Sequence, residues 1–193
     1  MTQEKVRCGW VTLERLYQDY HDEEWGVPQY DDDKLFEFLI LEGLQAGLSW
    51  ITILKKREFY REVLDGFCAV KIAGYDDHKM LQLMSDARLI RNSLKMAAIV
   101  KNAKAFLAVQ QETGSFCNFI WQFIGGQPRQ NHWLSLHEVP TESPESNAMS
   151  KVLKKRGFSF VGPTICYAYM QAVGMVNDHV VSCYRHDQLD KGI

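Results

Sequence analysis

Leu35, Phe36, Leu39 and Ile40 recur at the spacing of one helix face, and similar stripes recur along the chain. Period-two alternation over strand length is missing. Apolar residues at a 3.6-residue period line one side of a helix, so this pattern commits the chain to helices packed on helices. Asp32 or Asp33 is expected to cap the helix of Leu35–Ile40. Ala46-Gly47 invites a turn, and a second helix is expected from Ser49 through Trp50, Ile53, Leu54 and Phe59. Residues 92–112 predict the longest helix, with Leu94, Ala98, Val100, Phe106 and Leu107 inward and Gly114 just past its end. Ser115–Phe123 reads as a short aromatic helix broken by Gly125, Gly126 and Pro128. Residues 126–147 read as a polar loop, Asn147 as the cap of a helix stopping at Gly157, and Pro163 as the start of one running through Met170 toward Gly174. A last helical stretch is expected to carry His179 to Cys183. The expected fold class is all-α.

With 193 residues, 46% of them hydrophobic, the chain can form one unit of helical lobes around a shared core. No apolar run reaches the roughly 18 residues that span a bilayer, and the first eight residues lack a signal peptide's apolar segment. A soluble, cytoplasmic protein without a membrane partner is expected. Five cysteines, odd in number and widely spaced, argue against a disulfide framework; Cys68, Cys117 and Cys166 read as small buried hydrophobes. A net charge of −2 gives no bulk attraction to nucleic acid. The dense basic clusters, Lys55-Lys56-Arg57 and Lys154-Lys155-Arg156, read equally as solvated helix faces or as local patches.

Two constellations carry chemistry. His179 and Cys183 lie four residues apart, a spacing that puts both on one face of a helix, and Cys8 and His21 can supply a second pair. Thiolate and imidazole are standard zinc ligands, and four of them close a site with no open position for water. Spacing alone favours coincidence over a metal, since the two pairs match no local zinc-finger pattern, and His186 competes as a ligand. Such a site would tie together two ends otherwise prone to fray.

The second constellation lies in the first fifty residues. Trp10, Tyr17, Tyr20, Trp25 and Trp50 gather there, three of the chain's five tryptophans. Core packing is one fate for them. Beside a carboxylate they can also clamp a flat cation by stacking and cation–π attraction. Glu42, after Leu39-Ile40-Leu41, is the carboxylate in question. Burial is costly unless it meets donors or a positive charge, so it reads either as an internal ion pair or as an acceptor in a pocket. Asp22, Glu23 and Glu24 read as solvated or capping residues.

Arg7-Cys8-Gly9-Trp10, Tyr20 through Pro28 (Tyr-His-Asp-Glu-Glu-Trp-Gly-Val-Pro), and Leu41 through Trp50 (Leu-Glu-Gly-Leu-Gln-Ala-Gly-Leu-Ser-Trp) closely resemble the 3-methyladenine DNA glycosylase I family. So do Leu54 through Glu58, Lys154 through Phe158 and Asn177 through Val181, and the likeness runs from about residue 7 to about 184. The resemblance implies an all-α fold of the helix-hairpin-helix glycosylase superfamily, residues 1–193 forming one unit whose termini, 1–30 and 176–193, are joined by one structural zinc. It implies zinc ligation by Cys8, His21, His179 and Cys183, and a base pocket from Trp10, Tyr17, Tyr20, Trp25, Glu42 and Trp50, with Glu42 and Tyr20 serving the chemistry. Gln45 and Leu48 fall where the family is expected to wedge into the duplex. The hairpin-like segment, Ser85–Lys95, lacks the usual glycine-rich turn and leaves Arg91 and Lys95 as candidate phosphate contacts. The implied activity is hydrolytic release of 3-methyladenine from alkylated double-stranded DNA, without strand cleavage, by a monomer.

Three other readings compete: a zinc-dependent nucleic-acid module, a zinc hydrolase of small molecules, and a helical scaffold. The first leaves Glu42 unexplained, since phosphates call for cations. The second needs an open metal position. The third predicts no response of tryptophan fluorescence to 3-methyladenine.

Overall fold

The computed structural model describes residues 5–190. The rest of the expected terminal segments, 1–4 and 191–193, lies outside the described residues. The helices are α1 (Arg15–Glu23), α2 (Asp32–Gln45), α3 (Trp50–Val63), α4 (Ala69–Ala73), α5 (Asp77–Ser85), α6 (Ser93–Thr113), α7 (Phe116–Trp121), α8 (Pro144–Lys155), α9 (Pro163–Ala172) and α10 (His186–Asp190). Two-residue strands β1 (Arg129–Gln130) and β2 (Val176–Asn177) pair in parallel, Arg129 with Val176.

Helix α2 is the axis of the molecule. Every residue from Leu35 to Leu44 is buried, and α3, α6, α7 and α9 pack around it. A helix apolar on all sides needs neighbours on all sides. Asp31 caps it, accepting from the Lys34 amide at 2.9 Å, rather than the expected Asp32 or Asp33. Asp32 turns instead to α7, where it accepts from the Phe116 and Cys117 amides at 2.7 Å each. A carboxylate on two free amides satisfies that helix's exposed N-terminus.

The expected long helix is α6, ending at Gly114 with φ +84°. Leu94 departs from the expectation and is 72% exposed, because its neighbour Lys95 takes the inward position. Helix α3 starts after Ser49 and α9 opens on Pro163, both as expected. The polar stretch 126–147 is not all loop. Strand β1 lies in it, and α8 opens at Pro144 on a Ser143 capping box, three residues before Asn147.

His179 and Cys183 do not lie on a helix. Helix α9 ends at Ala172, Gly174 turns the chain with φ +69°, and β2 extends it through Asn177. The following segment closes in a turn, the Cys183 amide donating to Val180 O at 2.7 Å. A Cβ at Gly174 would overlap the Val27–Pro28 backbone, so only glycine lets this segment lie against residues 26–28. No helix among the described residues is long and apolar enough to cross a membrane.

Candidate active site

A cavity of about 200 Å³ opens between α1, α2, α3 and α9. All six residues expected to form a pocket, Trp10, Tyr17, Tyr20, Trp25, Glu42 and Trp50, line it. The local folding explains the convergence. Tyr17 and Tyr20 stand three apart on α1 and share a face. Trp10 follows Cys8 in a turn closed by the Val11 amide on Cys8 O at 3.0 Å. Trp50 is the first residue of α3. The ring of Trp10 lies 5.0 Å from those of Tyr17 and Trp25, and Tyr20 lies 5.3 Å from Trp50.

Glu42 enters from α2. It is 3% exposed, its Oε2 has no hydrogen-bond partner, and burial pushes its carboxyl up to about 8. The other buried carboxylate on α2 is a contrast: Glu37 is held by Arg61 at 2.6 Å and Lys34 at 3.1 Å. The buried indole Nε1 of Trp50 also lacks a partner. Leaving a buried polar atom unpaired costs about 1–3 kcal/mol, so an acceptor and a donor orphaned in one cavity point to a polar ligand there. Burial, followed by the nearby Glu42, raises the Tyr20 phenol well above its usual range and keeps it neutral.

Sequence reasoning missed Gln171, Asp178, Leu136 and Val139, which also line the cavity. Asp178 is fully buried and accepts from Asn131 Nδ2, Trp133 Nε1, Tyr167 OH and Gln171 Nε2, at 2.7–2.8 Å. It stands in the segment Asn177–Val181 that carried the resemblance, but its donors are scattered over forty positions and no spacing rule connects them.

Cys8, His21, His179 and Cys183 are all buried, with ligating atoms within 4.8 Å of one another. Cys8 Sγ lies 3.5 Å from His179 Nδ1, and Cys183 Sγ lies 3.4 Å from both His21 Nε2 and His179 Nδ1. Tetrahedral ligands bound at roughly 2.0–2.3 Å stand about 3.5 Å apart, so these separations and donors fit a metal ion such as zinc. The other imidazole nitrogens are engaged: His21 Nδ1 with Asp22 Oδ1 at 2.8 Å, and His179 Nε2 with Trp25 O at 3.0 Å. That fixes which nitrogen faces the cluster. Asp22, expected to be a solvated or capping residue, is clamped by Arg7 at 2.7 and 2.8 Å. His186 is not in the cluster; its ring meets Asn131 O and Asp187. The cluster abuts the cavity, with Trp10 5.2 Å from His21 and Trp25 4.6 Å from His179.

The candidate DNA contacts divide. Gln45 lines the cavity, and Leu48 is 40% exposed on the turn after α2. Arg91 is exposed in the connection between α5 and α6. Lys95 is corrected: its ammonium is buried and donates to Leu44 O and Ala46 O, so it does not face a phosphate. Of the basic clusters, Arg57 is paired with Glu24 at 2.6 and 2.7 Å, joining α1 to α3, and Arg156 with Glu112. Glu24, expected to be solvated or capping, stands at the C-terminal end of α1 and also anchors it to α3 through Arg57.

Residues 10–186 match the family described as methyladenine glycosylase. The chain is 52% identical over 177 residues to DNA-3-methyladenine glycosylase 1 of Escherichia coli K12, covering 92% of this chain and 95% of that one. This chain belongs to the methyladenine glycosylase family. A crystal structure of 3-methyladenine DNA glycosylase I superposes with a TM-score of 0.92 at 50% identity, covering 94% of this chain and 100% of the other. A variant of 3-methyladenine DNA glycosylase I, solved in complex with 3-methyladenine, superposes at 0.91 with 34% identity, covering 93% of this chain and 97% of the other. The cavity and the Cys/His cluster thus sit in a chain of the methyladenine glycosylase family.

Proposed function

We propose that this chain excises 3-methyladenine from alkylated double-stranded DNA by hydrolysing the N-glycosidic bond. One observation carries the reading: Glu42 Oε2 and Trp50 Nε1 are unpartnered in an aromatic cavity. The family and the relative solved with 3-methyladenine support it.

A base inside a duplex must be extruded to be reached, which costs a few kcal/mol. Gln45 and Leu48 fill the gap it leaves. Alkylation at N3 makes the adenine ring cationic and weakens its bond to the sugar. In the cavity Trp50 and Trp10 stack on the ring and Tyr20 orients its edge, with Tyr17 and Trp25 completing the wall. Glu42 accepts from the 6-amino group; burial pushes its carboxyl up to about 8, and a cationic base beside it favours the ionised form, the proton passing to solvent. The glycosidic electron pair leaves with the base, which departs as neutral 3-methyladenine. Water adds to the sugar carbon and loses a proton, leaving an abasic site. Among the described residues no lysine lines the cavity, which supports hydrolysis without a covalent intermediate or strand cleavage.

Cys8, His21, His179 and Cys183 would hold one zinc ion. When bound, zinc cross-links residues 8–21 to 179–183 and leaves no open position for chemistry. Helices α5 and α6, with the connection 86–92, form the helix-hairpin-helix element, and Arg91 there reaches the phosphates. The chain acts as a single cytoplasmic unit, 1–193, and as a monomer. Incubation with methylated duplex DNA, followed by chromatography of the released bases, tests the activity. Free 3-methyladenine is expected; its absence would refute the proposal.

A further inference from the structure

Lys95 stands in the first turn of α6 and is only 7% exposed. Its Nζ donates to Leu44 O at 2.7 Å and to Ala46 O at 2.6 Å. Burial lowers its pKa, and no neighbouring charge offsets that. An ammonium buried in this way is costly, so its two bonds need a reason. The carbonyls it meets end α2, where no helical amide reaches them. The backbone turns away there, through Ala46 at φ −41°, ψ 115° and Gly47 at φ +76°. A side chain from a distant helix therefore caps α2.

The capped turn joins two walls of the cavity. Glu42 lies one helical turn before it, Gln45 lines the cavity within it, and Trp50 opens α3 after it. Leu48 stands exposed on it, its amide donating to Gln45 O at 2.6 Å. The connection preceding α6 is itself fixed to α3: the Ile90 amide donates to Tyr60 OH at 2.9 Å, and Lys56 donates to Arg88 O at 2.5 Å. Lys95 thus links the α5–α6 hairpin to the turn that carries Leu48.

We infer that Lys95 is a positioning residue for base extrusion, holding the Gln45–Ser49 turn rigid so that Leu48 can enter a paired duplex. The inference rests on the reading of Gln45 and Leu48 as the residues that fill the vacated gap. A wedge works against the stacking it disrupts, and a turn free to yield would lose that work. The loss should appear only where the base must be driven out of a pair.

The test uses a strand with a single adenine, methylated and annealed so that the lesion faces either thymine or an abasic spacer. Single-turnover release is measured for the native protein, Lys95→Met and Leu48→Ala. Lys95→Met is expected to slow release opposite thymine by about tenfold or more. Release opposite the spacer, and binding of free 3-methyladenine by tryptophan fluorescence, should change less than about twofold. Equal losses on both duplexes, or a parallel loss of free-base binding, would show Lys95 to be merely structural and overturn the inference. No loss on either duplex would also overturn it. If Leu48→Ala shows the paired-only loss and Lys95→Met does not, the role of Lys95 falls while the wedge stands. If Leu48→Ala shows no such difference, the wedge reading fails and takes the inference with it.

Discussion

At the scale of single residues, Glu42 sets function against stability. Its carboxyl, ordinarily near 4.5, is pushed to about 8 in the folded chain by burial. Between those values the unfolded chain has released the proton while the folded chain retains it. Stability at this site therefore falls as pH rises from about 4.5 to about 8 and levels off above. Glu42→Gln removes the titration. It should leave stability near pH 4 almost unchanged and raise it above pH 8 by up to about 5 kcal/mol, or roughly 10–20 °C in melting temperature. Calorimetry at the two pH values checks this; equal melting shifts at both would show that Glu42 carries no burial cost. The residue's importance was legible in sequence, because a glutamate after Leu39-Ile40-Leu41 has to be either paired or poised. Its lack of a partner was not, since that depends on which side chains the packed helices bring within reach of the cavity.

At the scale of elements, the helices legible in sequence were those with an apolar stripe or a turn or cap signal: α2, α3, α6, α7, α8 and α9. Helix α4 has five residues and each strand two, too short to show a period. The stretch His179–Cys183 is not the helix that its spacing suggests, because a spacing of four suits a helix and a metal cluster equally. What shapes that stretch is tertiary, and Gly174 exposes it. Gly174→Ala adds a Cβ at positive φ against the Val27–Pro28 backbone and should cost about 3 kcal/mol or more. Gly47→Ala, also at positive φ but with open space around it, should cost only about 1 kcal/mol. Urea melts of both variants give the comparison, and equal losses would deny the close approach at Gly174.

At the scale of the whole molecule, two segments far apart in sequence, residues 8–21 and 179–183, meet beside the cavity. The ligand set Cys8, His21, His179 and Cys183 was readable from the resemblance, whereas spacing alone left it weak. The pocket wall from Leu136 and Val139, and the Asn131 and Trp133 donors to Asp178, were not readable, because they arrive from a loop brought in by two residue pairs of β1 and β2. The proposed zinc predicts one ion per chain by metal analysis. Cys183→Ser should lose the ion and about 3 kcal/mol of stability, while binding of free 3-methyladenine below the melting point stays within about threefold of native. Metal-free native protein of full stability would refute the cross-link. The central claim is that the unpartnered Glu42 carboxyl beside Trp50 selects the cationic base. The most direct test is single-turnover release of 3-methyladenine from methylated duplex DNA by Glu42→Ala, with folding checked by circular dichroism. The variant is expected to fold normally and to release the base about a hundredfold more slowly; a folded variant releasing the base at the native rate would show that Glu42 does not select it.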